Sequence, residues 1–347
     1  MKQRGKIILI RVDASPTIGA GHLMRMLALG QILLDSGHLV HFATIPDETD
    51  MWKCLEVDQF IIHLLNSKSN NFQQQREFIE LADDINPDWV ILDTYLISLE
   101  FEIEIKAKGY KQVRICDLTN QRTVADVLVD QNFGSEELSN SLESNTLQLR
   151  GIKHVMLRRE FRQLSVQKSQ KKNVERIIIA LGGGSPLTDK INITLINILS
   201  KFSRPNWSIT IVLGKMGINS SDFYNSLENI SIQLKVIEHT SSMAAEFFES
   251  DIAIVSGGSI MWESLYMKVP FMAISLNMKQ EEYLNYLERR NICCHLCSFK
   301  DLGEIMIAKK ITNFSENFAF QNGIIEKSEN IFNQKSDRLP LLDIIEN

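Results

Sequence analysis

The chain has 347 residues, 44% of them hydrophobic, with a formal net charge of -6 and five cysteines. At roughly 150 residues per domain this length favours two domains, and the apolar content suffices for two cores. The acidic balance argues against a general nucleic-acid binder, the longest apolar runs fall short of the roughly 18 residues of a membrane span, and sparse, odd-numbered cysteines argue against a disulfide framework.

The first element is the β-branched run Ile7-Ile8-Leu9-Ile10, which reads as a buried parallel strand. Lys2, Arg4 and Lys6 precede it, but Arg11 and Asp13 interrupt the apolar run too soon for a signal-peptide core, so a cytoplasmic location is expected. Asp13, Ser15 and Pro16 break the strand. Gly19 and Gly21 permit a tight turn and close ligand approach, and Leu23, Leu27 and Leu34 then recur at helical spacing. His22 therefore lies in the first turn of a helix, where the positive end of the helix disfavours an imidazolium and suits a general base. The bland reading makes His22 a helix-starting residue. Arg11, Asp13 and Arg25 can converge with it at one strand end, and a structural turn needs no such set of charges. The Gly19-Ala20-Gly21 spacing also suggests a dinucleotide turn, but Met24 replaces the third glycine of that pattern.

Further strand-like runs follow at 39–44, 60–65, 89–93 and 112–117, with helical runs at 72–85 and 99–108, the alternation of a parallel doubly wound sheet. Residues 162–173 are polar and basic and mark a boundary, giving expected domains at 1–165 and 173–347. The pattern then restarts with strands at 174–181, 207–213, 232–237, 252–255 and 271–274. Helical runs lie near 187–202, 243–249, 260–267 and 281–289. Beyond Thr312 the chain looks helical and then polar, and either packs back on the first half or frays. Ligands of open α/β sheets bind beyond the carboxyl ends of the strands, so two such halves are expected to face each other across a cleft.

Leu181-Gly182-Gly183-Gly184-Ser185-Pro186 joins a strand to a helix and offers unpaired N–H groups to a phosphate. It lacks the Lys-Ser/Thr ending of a P-loop. Ser256-Gly257-Gly258-Ser259 repeats the arrangement after the run 251–255, with Glu263 one helical turn farther on. A carboxylate there repels phosphate unless it reaches past to ribose hydroxyls, which points to a nucleotide; the bland reading is a first-turn glutamate that suits the helix dipole. The cluster Cys293-Cys294-His295-Leu296-Cys297 places Cys293, His295 and Cys297 on one face if it forms a strand. No second pair with zinc spacing accompanies it, so these are expected to be structural cysteines, with no metal.

The stretch Arg11–Arg25, R-V-D-A-S-P-T-I-G-A-G-H-L-M-R, followed in order by L-D-T-Y at 92–95, L-R-R-E-F at 157–161, L-G-G-G at 181–184 and S-G-G-S-I-M-W-E at 256–263, resembles the UDP-sugar hydrolases of the pseudaminic acid pathway. Those enzymes hydrolyse UDP-2,4-diacetamido-2,4,6-trideoxy-β-L-altropyranose and are similar to the glycosyltransferase that makes lipid II. The resemblance covers nearly the whole chain to about residue 295. It implies two Rossmann-like domains in the GT-B arrangement and hydrolysis with inversion at the anomeric carbon, without a cofactor. His22 would activate water, Asp13 and Arg11 would shape the sugar site, and Tyr95 would line it. UDP would be held by Gly183, Gly184, Ser256, Gly257, Gly258 and Ser259, with Glu263 on ribose and Ile237 against uracil. Gly19, Gly21, Arg25, Asn277, Lys279 and Gln280 complete the expected substrate contacts. Two positions depart from the family: Thr94 stands where histidine is common, and Lys279 where asparagine is common, with Asn277 close by. The expected partner is a UDP-sugar, with no nucleic acid and no membrane insertion; no subunit number is assigned. Three other readings stay open: a glycosyltransferase on the same scaffold, a nucleotide-sugar-binding protein without catalysis, and a dehydrogenase.

Overall fold

The alternating runs form two all-parallel sheets in a computed structural model, which describes residues 4–347 apart from 16–17, 95–96, 119–121, 139–144, 165–172, 203, 215–219, 226, 228–229, 231, 239, 241 and 334–337. The first sheet contains β1 (Ile7–Val12), β2 (Leu39–Thr44), β3 (Ile61–Leu64), β4 (Trp89–Asp93), β5 (Lys111–Ile115), β6 (Val127–Asp130) and β7 (Leu147–Arg150), in the order β3-β2-β1-β4-β5-β6-β7. The second contains β8 (Arg176–Ala180), β9 (Ser208–Val212), β10 (Gln233–Ile237), β11 (Ile252–Ser256), β12 (Phe271–Ser275) and β13 (Cys294–Ser298), in the order β10-β9-β8-β11-β12-β13. These are the doubly wound α/β halves expected from the alternation.

Central strands read as unbroken apolar runs because helices cover both of their faces. Ile8, Leu9 and Ile10 of β1 are wholly buried, in register with Val40, His41 and Phe42 on one side and Trp89, Val90 and Ile91 on the other. The helix Gly21–Asp35 packs through Leu23, Met26, Leu29 and Leu33, with Leu34 only half-buried. Its Gly30 matters for fit: a Cβ there would lie 2.9 Å from the ring of Phe42, so glycine lets the helix press onto β2. Each sheet reverses its direction of winding beside its first strand, between β1 and β4 and again between β8 and β11. Those are the points where open α/β sheets leave a crevice at the strand carboxyl ends.

Three strands lie outside the sequence expectation. β6 and β7 are four residues each, and β7 is a sheet-edge strand with the polar residues Gln148 and Arg150, so neither gives a long apolar run. β13 begins at Cys294, and its register against β12 slips between Ala273 and Ile274, pairing Ala273 with His295 but Ile274 with Cys297. That irregularity breaks the strict alternation expected of Cys293, His295 and Cys297. Cys293 and Cys297 are buried, and burial pushes the Cys297 thiol up to about 12 and the Cys294 thiol up to about 11. They are protonated thiols at neutral pH.

The chain separates into two compact units, one comprising Met1–Ile18, His22–Arg159 and Asn333–Asn347, the other Gly19–Gly21 and Glu160–Phe332. This differs from the expected split at its far end, since the terminal residues belong with the first unit. The helix Pro340–Glu346 buries Leu341, Leu342 and Ile345, each contributing about 1.5–3 kcal/mol of apolar burial, and Glu346 faces His38 at 3.6 Å. Among the described residues no helix is long and apolar enough to cross a membrane.

Candidate functional site

In the first unit, the crevice beside β1 and β4 is occupied by charge. His22 is the second residue of the helix that follows β1, and its Nδ1 lies 2.6 Å from Oδ1 of Asp93, the last residue of β4. Two acceptors do not approach this closely, so a proton sits on Nδ1 and is donated to the carboxylate; in the neutral ring the lone pair then belongs to Nε2. Arg25, one helical turn on, grips the same carboxylate side-on, with Nε 2.6 Å from Oδ2 and Nη2 2.6 Å from Oδ1. Nη2 also comes within 2.9 Å of His22 Nδ1 because both address one oxygen. The third arm of Arg25, Nη1, donates to Asp117 Oδ1 at 2.5 Å.

These charges are mutually supporting. Burial alone would push the Asp93 carboxyl up, but the Arg25 guanidinium, helped by His22, holds it well below the usual carboxylate range. Asp117 is likewise held low, against burial, chiefly by Arg25. Beyond Asp117, Asn132 Nδ2 bridges Asp117 Oδ1 and Asp130 Oδ1 at 3.0 Å each. Burial, and the nearby Asp117 charge, push Asp130 up to about 6 against the hydrogen bonds from Asn132 and Leu118. The helix after β1 and the carboxyl ends of β4, β5 and β6, which are neighbours in the sheet, thus supply one chain of polar contacts.

Arg11 and Asp13 do not join this set among the described contacts. They pair with each other at 2.5 Å, Asp13 Oδ1 accepts the Ile45 N–H at 3.0 Å, and Arg11 also donates to the carbonyl of Val12. Arg11 and Asp13 flank Val12, which is paired with Asp93 in the sheet, so all four residues lie at the same strand end, in two hydrogen-bonded groups among the described contacts. Asp13 Oδ2 is buried without a hydrogen-bond partner. Gly19 adopts φ +83°, which only glycine takes easily, and nothing lies within 4 Å of where a Cβ at Gly19 or Gly21 would be. Tyr95 falls outside the described residues. Thr94 is buried at the end of β4.

In the second unit the corresponding crevice is occupied by backbone. Gly182 and Gly184 have φ of +104° and +89°, and Ser185 accepts the Thr188 N–H at 3.2 Å to start the helix Pro186–Phe202. β8 and β11 are paired neighbours, so their two glycine turns emerge side by side. Ser256 Oγ lies 3.8 Å from the points where a Cβ on Gly182 or on Gly258 would stand. Gly214, after β9, packs its Cα against Gly183, where a Cβ would meet the Gly183 carbonyl carbon at 2.4 Å. Gly258 and Ser259 provide the first carbonyl acceptors of the next helix, to Met261 and Trp262, so the amides of Gly258, Ser259 and Ile260 precede its hydrogen-bonded turns. Glu263 is buried within that helix, and Ile237 ends the edge strand β10, half-buried.

Three of the residues expected to contact substrate also carry local hydrogen bonds. The Gly257 amide donates to the Ile274 carbonyl at 3.2 Å, so it is committed to the sheet rather than to phosphate. Asn277 caps the helix Met278–Arg289 by accepting the Gln280 N–H at 2.9 Å. Gln280 in turn accepts the Leu276 N–H at 2.8 Å and lies against Gly257, 3.1 Å from where a Cβ would be. Asn277 and Gln280 thus build the turn beside the glycine loop. Lys279 is exposed on the same helix. Sequence reasoning assigned no role to Asp93 or Asp117; the available signal was that each ends a strand-like run, where a carboxylate has no packing reason to be. Among the described residues no cluster of three His, Cys, Asp or Glu side chains is placed to hold a metal ion.

No family model matches the chain. It is 29% identical over 296 residues to an uncharacterised protein of Methanocaldococcus jannaschii, covering 81% of this chain and 58% of that one, so it spans little more than half the length of that relative. It is 27% identical over 286 residues to a UDP-2,4-diacetamido-2,4,6-trideoxy-beta-L-altropyranose hydrolase of Campylobacter jejuni, covering 82% of this chain and 96% of the relative. Among solved structures it is similar to MurG of Acinetobacter baumannii, with a TM-score of 0.65 and 14% identity over 98% of this chain and 99% of that one. It is also similar to the spinosyn rhamnosyltransferase SpnG complexed with thymidine diphosphate, with a TM-score of 0.71 and 13% identity over 99% and 100%. These likenesses show the fold: two Rossmann-like α/β units of the GT-B type.

Proposed function

We propose that the chain is an enzyme that breaks the anomeric C–O bond of a UDP-sugar, with His22 as general base. The observation that carries this is the 2.6 Å contact between His22 Nδ1 and the buried Asp93, which fixes the tautomer whose Nε2 accepts a proton. The nucleotide would be held in the second unit by the Gly183–Gly184 turn and the amides of Gly258 and Ser259, with Glu263 on the ribose. Backbone amides are already ordered before charge develops on the departing UDP, so they stabilise it without reorganising. A single displacement by the activated nucleophile inverts the anomeric centre. Arg25 and Asp93 keep the base oriented throughout.

Two nucleophiles fit this base. An acceptor hydroxyl has the wider support, because the solved structures sharing the full-length fold include MurG and a rhamnosyltransferase. Water is the second reading, favoured by the Campylobacter jejuni relative, whose name is that of a hydrolase and 96% of which aligns. In that case the free sugar would be a deoxy acetamido sugar of the kind used for nonulosonic acids. Incubation with a panel of UDP-sugars, with and without candidate acceptors, followed by NMR of the anomeric proton, separates the two. UDP release without any acceptor supports hydrolysis, release only with an acceptor supports transfer, and no release from any UDP-sugar under either condition removes the catalytic reading. A protein that binds UDP sugars without turning them over would then be left.

A further inference from the structure

We propose that Asp117 is a positioning residue for His22, acting through Arg25. The inference rests on the proposed role of His22 as base and adds a residue that does not touch it. Arg25 presents three edges: Nε and Nη2 grip Asp93, and Nη1 is bound by Asp117 at 2.5 Å. Without Asp117, the guanidinium would keep its two bonds to Asp93, the group that orders His22 Nδ1, but lose the third bond that pins its far edge and so fixes the angle at which it presents itself to Asp93. Charge gives the same answer as geometry. Asp93 and Arg25 alone sum to zero, which leaves little field to favour the positive charge that His22 gains when it takes a proton. Adding Asp117 restores one net negative charge to the group beside the ring.

The structure treats the position of Asp117 as something to be held. Its side chain is 37% exposed, so packing does not fix it. Asn132 fixes it instead, donating at 3.0 Å to the same oxygen that takes the Arg25 bond, while its own backbone N–H is tied to Asp130 at 3.1 Å. The next residue, Leu118, adopts φ +44°, an unfavourable left-handed conformation for a leucine, and its N–H is pinned to Asp130 Oδ2 at 2.8 Å. Asp130 itself faces Arg150 at 3.6 Å, with Cys116 nearby. Strain at Leu118, the Asp130 carboxylate that ends β6 and Asn132 just after it converge on the orientation of one carboxylate.

The test is Asp117→Asn, with Asp117→Glu and Asn132→Ala as companions, in the full-length protein. The expected result for Asp117→Asn is a fall in kcat of about tenfold with KM for the UDP-sugar little changed, and an acidic limb of the rate profile that moves to lower pH. Asp117→Glu, which keeps the charge, restores most of the rate, and Asn132→Ala gives a smaller loss of the same kind. A second measurement needs no turnover: in ¹⁵N-histidine-labelled protein the His22 ring signals, assigned with His22→Ala, report the Nδ1–H tautomer in the parent and a mixture in Asp117→Asn. If Asp117→Asn leaves the His22 signals and the rate profile as in the parent, the proposal is overturned. If no UDP-sugar is turned over by the parent, the functional reading fails while the tautomer measurement still decides the role of Asp117.

Discussion

The two winding-reversal points of this molecule are built alike and filled oppositely. Between β1 and β4 the crevice holds His22, Arg25 and Asp93, buried side chains that neutralise one another. Between β8 and β11 it holds glycines and serines, with Ser256 Oγ the nearest foreign side-chain atom to two of them. One region is built from side chains that must be oriented; the other is built by removing side chains so that backbone can be reached. The first therefore depends on partners far apart in sequence, and the second on local conformation.

The sharpest way to break the contrast is His22→Ala, expected to cost about 10²–10⁴-fold in turnover while UDP binding, measured by calorimetry, stays at the parental level. Loss of both together would mean that the two regions do not divide the work. Next in size, Asp93→Ala leaves the buried Arg25 without its bidentate partner and should lower unfolding stability by about 3–5 kcal/mol in a denaturant titration. A loss below about 1 kcal/mol would show that the charge cluster does not hold the first unit together.

A pH series sharpens the comparison further, because the first region holds carboxylates whose proton affinities are shifted by their surroundings. Asp130 is raised to about 6 in the folded state, so its contribution to stability is complete below its ordinary value near 3.8 and is lost as the pH rises through 6. Asp93 and Asp117 are held low and act in the opposite sense, their contribution being present at neutral pH and lost as the pH falls below the ordinary carboxylate range. Thermal melts should accordingly show a decline between about pH 4 and 6 worth about 1–3 kcal/mol, flattened by Asp130→Asn; an unchanged slope in that variant would reject the assignment. The smallest expected effect lies in the second region. Gly184→Ala, at φ +89°, should cost about 1 kcal/mol of stability from backbone strain and weaken UDP binding severalfold, with no change in the pH profile.

The same contrast decides how much could be read from the sequence. Glycine turns between a strand and a helix are contiguous, so L-G-G-G and S-G-G-S were legible as strand-to-helix turns, although the commitment of the Gly257 amide to Ile274 depends on a neighbouring strand and was not. His22 was legible for the same local reason, its place just after Gly21 at a helix start. Its partners Asp93 and Asp117 stand 71 and 95 positions away in the chain and are joined to it only by the strand order β1-β4-β5, which no local pattern encodes. Among the elements, long apolar strands such as β1 and β11 announced themselves. The four-residue β6 and β7 did not, nor did the slip in β13, where pairing geometry rather than composition sets the register.

The helix Pro340–Glu346 carries a consequence for how the protein is made. It completes the first unit, through Leu341, Leu342 and Ile345 and the contact of Glu346 with His38, yet it follows all of the second unit in the chain. As the polypeptide leaves the ribosome, the domain that begins first must wait for the other to be translated before its last piece can dock.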